Sequence, residues 1–141
     1  MSFTQQFAPD RMVTAETLSQ DTSKLIERIQ VKDLSEAELE QLPFGAIELD
    51  TAGIILRYNG FEAKLSGIAR SRALGKHFFT ELAPCTNVKE FYGRFQEGVA
   101  RKRMQEKFRY HFSFKKNPVN VTITLFYNDR TASIWVFARP A

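Results

Sequence analysis

Three side chains have the type and spacing to do chemistry together: Cys85, Tyr58 and Glu62. Cys85 is the only cysteine in 141 residues. It stands in Leu82-Ala83-Pro84-Cys85-Thr86, just ahead of a helix expected to begin near residue 87. A thiol beside a helix N-terminus meets the positive end of the dipole, which favours the thiolate and makes covalent attachment feasible. Taken alone, a single cysteine is more often a small buried apolar residue. Tyr58 and Glu62, in Tyr58-Asn59-Gly60-Phe61-Glu62, are four residues apart and would project from one side of a short helix. Turned inward, they would present a phenol and a carboxylic acid to an apolar interior. Desolvation would keep such an acid protonated, and the pair would suit a buried anion. Turned outward, Glu62 is solvated and Tyr58 half-buried, which is the reading that spacing alone favours.

Other chemistries find less support. His77 and His111 have no partners at metal-ligand spacing, so packing or surface roles are expected and no metal site. One cysteine excludes a disulfide framework within the chain. There is no Ser-His-Asp set, phosphate loop or dinucleotide fingerprint. Arg101, Lys102, Arg103, Lys107, Arg109, Lys115 and Lys116 form a basic cluster. It reads as a solvated face, a receiver for an acidic segment, or a nucleic-acid surface, the last being disfavoured.

The elements that must position these residues follow from periodicity. Residues 1–18 show no sustained period and read as a loosely held terminus. Leu25, Ile26 and Ile29 have helical spacing, with Asp21 or Thr22 as cap. Ser35-Glu36-Ala37-Glu38 is a capping box opening a second short helix that ends before Pro43. Neither helix is long enough to be stable unless it docks. Residues 45–50 and 54–59 read as a hairpin around Thr51-Ala52-Gly53. Residues 60–86 are short helices and loops. Asn87-Val88-Lys89-Glu90 reads as a capping box for a helix presenting Val88, Phe91, Phe95 and Val99 on one face. Phe108, Tyr110, Phe112 and Phe114 alternate with polar residues as a strand whose aromatics are core. A turn at Asn117-Pro118, a strand from Val119, a turn at Asn128-Asp129 and a strand over 133–138 complete the chain. The sum is an α+β domain: one five-stranded antiparallel sheet with helices mainly on one face.

Composition agrees with one globular domain and an appended arm. The chain is 43% apolar and 26% charged with net charge +4. Residues 1–41 carry eight acids and four bases, net −4, while the remainder is net +8. An acidic arm and a basic body should attract, and salt should loosen them. No apolar run approaches the roughly 20 residues of a membrane span, and no signal peptide is evident, so a cytoplasmic location and no membrane association are expected.

From about Leu42 to Ala138 the sequence resembles the photoactive yellow protein family. The resemblance rests on Phe44-Gly45-Ala46-Ile47-x-Leu49-Asp50, Gly53-x-Ile55-Leu56-x-Tyr58-Asn59-x-x-Glu62 and Gly75-Lys76-x-Phe78-Phe79. It continues through Ala83-Pro84-Cys85-Thr86, Glu90-Phe91-Tyr92-Gly93-x-Phe95-x-Glu97-Gly98-Val99 and Trp135-Val136-Phe137. The resemblance implies a PAS-like fold, with a helical N-terminal cap over 1–41 and a chromophore-binding domain over 42–141. It implies a blue-light photoreceptor with 4-hydroxycinnamic acid (p-coumaric acid) held as a thioester on Cys85. By the same resemblance, Tyr58 and Glu62 hydrogen-bond the chromophore's phenolate oxygen and Ser66 bonds the tyrosine. The N–H of Cys85 would hold the thioester carbonyl. Light-driven trans-to-cis isomerisation, proton transfer from Glu62 and partial unfolding of the cap would then signal to a downstream protein, from a monomer or weak dimer; such a photocycle converts no external substrate, so no enzyme is expected.

Three positions depart from the family pattern. Ile68 stands where an arginine commonly shields the pocket. Lys116 stands where a methionine often assists recovery. The arm is longer than the usual cap. The departures at Ile68 and Lys116 motivate an alternative, a non-photoactive PAS module that binds another ligand or dimerises.

Overall fold

The computed structural model describes residues 22–114 and 118–140. The expected loose terminus, Asp21, Lys115, Lys116 and Asn117 lie outside the described residues. The arm forms helices α1 (Thr22–Val31) and α2 (Glu36–Gln41). Ser35 caps α2 through both bonds of the expected capping box: its hydroxyl accepts from the Glu38 N–H, and the Glu38 carboxylate accepts from the Ser35 N–H. Strands β1 (Gly45–Leu49) and β2 (Ile55–Tyr58) form the hairpin, which turns at Gly53 with φ +98°. Helices α3 (Gly60–Ser66) and α4 (Arg70–Ala73) follow. A π-helical turn (Phe78–Leu82), a 3-10 turn (Pro84–Thr86) and a second π-helical turn (Lys89–Gly93) then lead into α5 (Arg94–Arg101). Strands β3 (Gln105–Phe112), β4 (Val119–Asn128) and β5 (Ser133–Pro140) complete an antiparallel sheet of order β2-β1-β5-β4-β3.

The sheet has a core on each face: α3 to α5 and the turns between them cover one, and the two arm helices cover the other. Strand alternation divides β5 between them. Ile134, Val136 and Ala138 join Ile47, Leu49, Tyr58, Phe78, Phe79 and Phe91 in the larger core. Trp135 and Phe137 join Phe44, Ala46 and Phe126 beneath Leu25, Ile26, Ile29 and Leu39 of the arm and Leu42 just after it. Each of these arm side chains is buried, a contribution on the order of 2 kcal/mol apiece. That burial orders two helices too short to stand alone.

Two expectations fail for local reasons. Asn87 does not cap a helix. Its N–H donates to the Pro84 carbonyl as the end of the 3-10 turn, and Val88, with no side-chain cap bond, precedes the π-helical turn. Val88 is consequently 41% exposed, outside the apolar face. Phe108 and Tyr110 of the edge strand β3 pack against the core but are only half-buried, whereas Phe112 and Phe114 are buried.

Candidate functional site

Tyr58 ends β2 and Glu62 lies in the first turn of α3, so the two meet across a strand-to-helix junction and not along one helix. Asn59 makes this junction. It is fully buried, and its Oδ1 accepts from the Glu62 N–H (3.0 Å) and the Ala46 N–H (3.1 Å). The first bond is a helix N-cap, which fixes where α3 starts. Ser66, the last residue of α3, lies 2.7 Å from the Tyr58 hydroxyl, which also donates to the Ile68 carbonyl at 2.9 Å. The Ser66 hydroxyl accepts from the Ile68 N–H, so one turn of chain holds the phenol from two sides.

Glu62 is 1% exposed, and both its carboxyl oxygens are buried without a hydrogen-bond partner. Burial pushes its acid up to about 8. The proton therefore stays on Glu62 at neutral pH, as the inward-facing alternative requires. Gly45 makes room for it, since a Cβ there would overlap the Glu62 Oε1 position. The Tyr58 phenol is raised above its ordinary range by burial; the Ser66 hydroxyl opposes this and the neighbouring Glu62 adds to it.

Cys85 occupies the 3-10 turn, not the start of a helix, so the expected dipole argument has no counterpart. The thiol is half-buried against the same apolar core that contains Tyr58. The Ala83, Thr86 and Asn87 N–H groups all donate to carbonyls of this segment, while the Cys85 N–H has no acceptor among the described residues. The Tyr110 hydroxyl donates to the Cys85 carbonyl at 2.5 Å and pins the turn to β3. Burial raises the Tyr110 phenol, with Cys85 and Glu90 adding. The structure thus gathers Tyr58, Glu62 and Ser66 into one cluster and sets Cys85 on a separate turn against the same core.

Asn59 and Tyr110 escape a reading aimed at catalytic types. The available signals were the Asn59-x-x-Glu62 capping pattern and a lone hydroxyl in a row of phenyl rings. His77 also has a structural post: its Nδ1 accepts from the Thr80 N–H and caps the first π-helical turn. Among the described residues no cluster of His, Cys, Asp and Glu has the makings of a metal site. No described helix is long and apolar enough to cross a membrane.

Comparison with known proteins identifies the family. A family model described as the PAS fold matches residues 34–141. The photoactive yellow protein of Rhodothalassium salexigens is 39% identical over 107 residues, 76% of this chain and 86% of that protein. The Halochromatium salexigens protein of the same name is 38% identical over the same shares. The chain belongs to the photoactive yellow protein family. The photoactive yellow protein domain of the sensor histidine kinase Ppr from Rhodospirillum centenum superposes with a TM-score of 0.73 at 40% identity. It covers 78% of this chain and 96% of that one. Photoactive yellow proteins are PAS-type photosensors, a sensory class and not an enzyme class, and membership implies a chromophore.

Proposed function

We propose that this chain is a cytoplasmic blue-light photoreceptor that carries 4-hydroxycinnamic acid as a thioester on Cys85. In this reading residues 1–41 act as the cap and 42–141 as the chromophore-binding domain. The observation that carries it is the Glu62 carboxyl, buried and neutral with no acceptor, beside the Tyr58–Ser66 pair. A buried acid with an unused proton fits an anionic oxygen brought in by a ligand. When bound, the chromophore supplies a phenolate that absorbs blue light and a double bond that isomerises.

The residues of the chain then have distinct tasks. Glu62 and Tyr58 donate to the phenolate oxygen, the phenol turning from the Ile68 carbonyl to do so. Ser66 holds Tyr58 in place. The free N–H of Cys85 is available to the thioester carbonyl. After light, Glu62 would give its proton to the phenolate oxygen and become a carboxylate in a site that disfavours charge. The strain falls on the least stable packed element, the cap, whose release signals to a downstream protein.

Reconstitution with activated p-coumaric acid tests the proposal. The protein should turn yellow and bleach reversibly under blue light. Mass spectrometry should place the adduct on Cys85, and Cys85→Ala should abolish both colour and adduct. A colourless product under conditions that acylate a control thiol would overturn it. Ile68 in the arginine position favours a second reading, a PAS module for another ligand. Colour that does not respond to light would select that reading.

A further inference from the structure

We infer that the sheet face beneath the cap is a docking surface for an acidic amphipathic helix of a partner protein, and that the cap occupies it as an internal mimic. The inference rests on the cap-release reading above, and its test needs no chromophore. The face is an apolar strip of Phe44, Ala46, Phe126, Trp135 and Phe137. Arginines border it, and the cap's acids meet them. On one side Glu36 pairs with Arg57 at 3.1 Å and with Arg70 at 3.5 Å, and Glu40 pairs with Arg70 at 3.6 Å. Glu40 also accepts from the Gly60 N–H that opens α3. On the other side Arg130, in the β4–β5 turn, bridges Asp33 at 2.6 Å and donates to the Ile29 and Gln30 carbonyls at the end of α1.

The cap therefore defines its own replacement. Leu39 and Leu42, three apart, face the strip, while Glu36 and Glu40 face the arginines. The pairs are also exchangeable. The Glu36 and Asp33 side chains are 66% and 60% exposed, and pairs so open to water are weak one by one. When the cap leaves, Arg57, Arg70 and Arg130 lose their carboxylates together while the strip loses its cover. An apolar patch edged by unpaired arginines selects a helix with the cap's pattern of leucines and acids. The described part of the arm does not pair with the basic run at 101–109, which the sequence offered as its receiver.

The probe is a fluorescein-labelled peptide with the sequence of residues 21–42, titrated into the full-length chain. Glu36→Gln/Glu40→Gln removes the cap's charges and leaves the arginines free; Asp33→Asn is a milder second variant that loosens the opposite side. Circular dichroism checks that each remains folded. The peptide should bind the double variant about tenfold more tightly than the unaltered chain, and binding should weaken as salt rises. A peptide with Asp33, Glu36 and Glu40 changed to lysine should not compete. Equal binding to unaltered and loosened chains, or equal binding of the lysine peptide, would overturn the inference. So would no binding to folded variants whose Trp135 emission reports an exposed strip. None of these outcomes depends on colour, so failure here is distinct from failure of the photoreceptor reading.

Discussion

Glu62 holds its proton because the folded chain gives a carboxylate nothing to bind, and this makes stability depend on pH. The unfolded acid titrates near 4.5 and the buried one near 8, so the folded state binds the proton more tightly. The sign follows from linkage: the contribution is complete below about pH 4.5, declines as pH rises, and is gone above about pH 8. Its amplitude in the chromophore-free protein is on the order of 5 kcal/mol. Urea unfolding of the unaltered chain and of Glu62→Gln across this range should show the difference between them changing steadily with pH. Parallel profiles would place the titration elsewhere. The sequence offered Glu62 and Tyr58 as a pair but put them on one helix. The pairing survives and the geometry does not, because Asn59 ends the strand and starts α3 between them. That Glu62 points inward depends on the missing Cβ of Gly45, thirteen residues upstream of Tyr58 and invisible to local spacing.

Among the elements, the α3 N-terminus links the Tyr58–Glu62 cluster to the cap. Asn59 accepts from Ala46 and Glu62, and its Nδ2 donates to the Leu39 carbonyl in α2 and the Phe44 carbonyl. Asn59→Ala should cost about 3 kcal/mol, combining a lost cap with buried backbone groups left unpaired. Asn59→Asp keeps the acceptor and loses both donor bonds, so it should loosen the cap while preserving the α3 start. Urea melts report the first effect and Trp135 emission the second. A loss for Asn59→Ala below about 0.5 kcal/mol would remove Asn59 from this role. Strands and the Ser35 capping box were legible because alternation and caps are local signals. The two π-helical turns were not, since residues 78–93 take their path from packing Phe78, Phe79 and Phe91 into one core.

At the scale of the whole molecule, the acidic arm and basic body attract as the charge split suggested, through Arg57, Arg70 and Arg130. Apolar burial holds most of the cap, and these exposed pairs bias its equilibrium. Raising NaCl from about 0.02 M to about 0.5 M shortens the screening length several-fold. Proteolysis at Lys32, between α1 and α2, should then accelerate roughly threefold. Arg57→Gln/Arg70→Gln should cleave faster at low salt and respond less to added salt. Equal salt response in both proteins would assign the effect to other charges.

Strand β5 is a party wall. Its even-numbered residues from Ile134 furnish the chamber on one side, and Trp135 and Phe137 furnish the room on the other. A substitution that shifts this strand's backbone to retune one room rearranges the neighbour's furniture as well. In the proposed photoreceptor, a change made to tune the chromophore's side would therefore be felt at the face the cap covers.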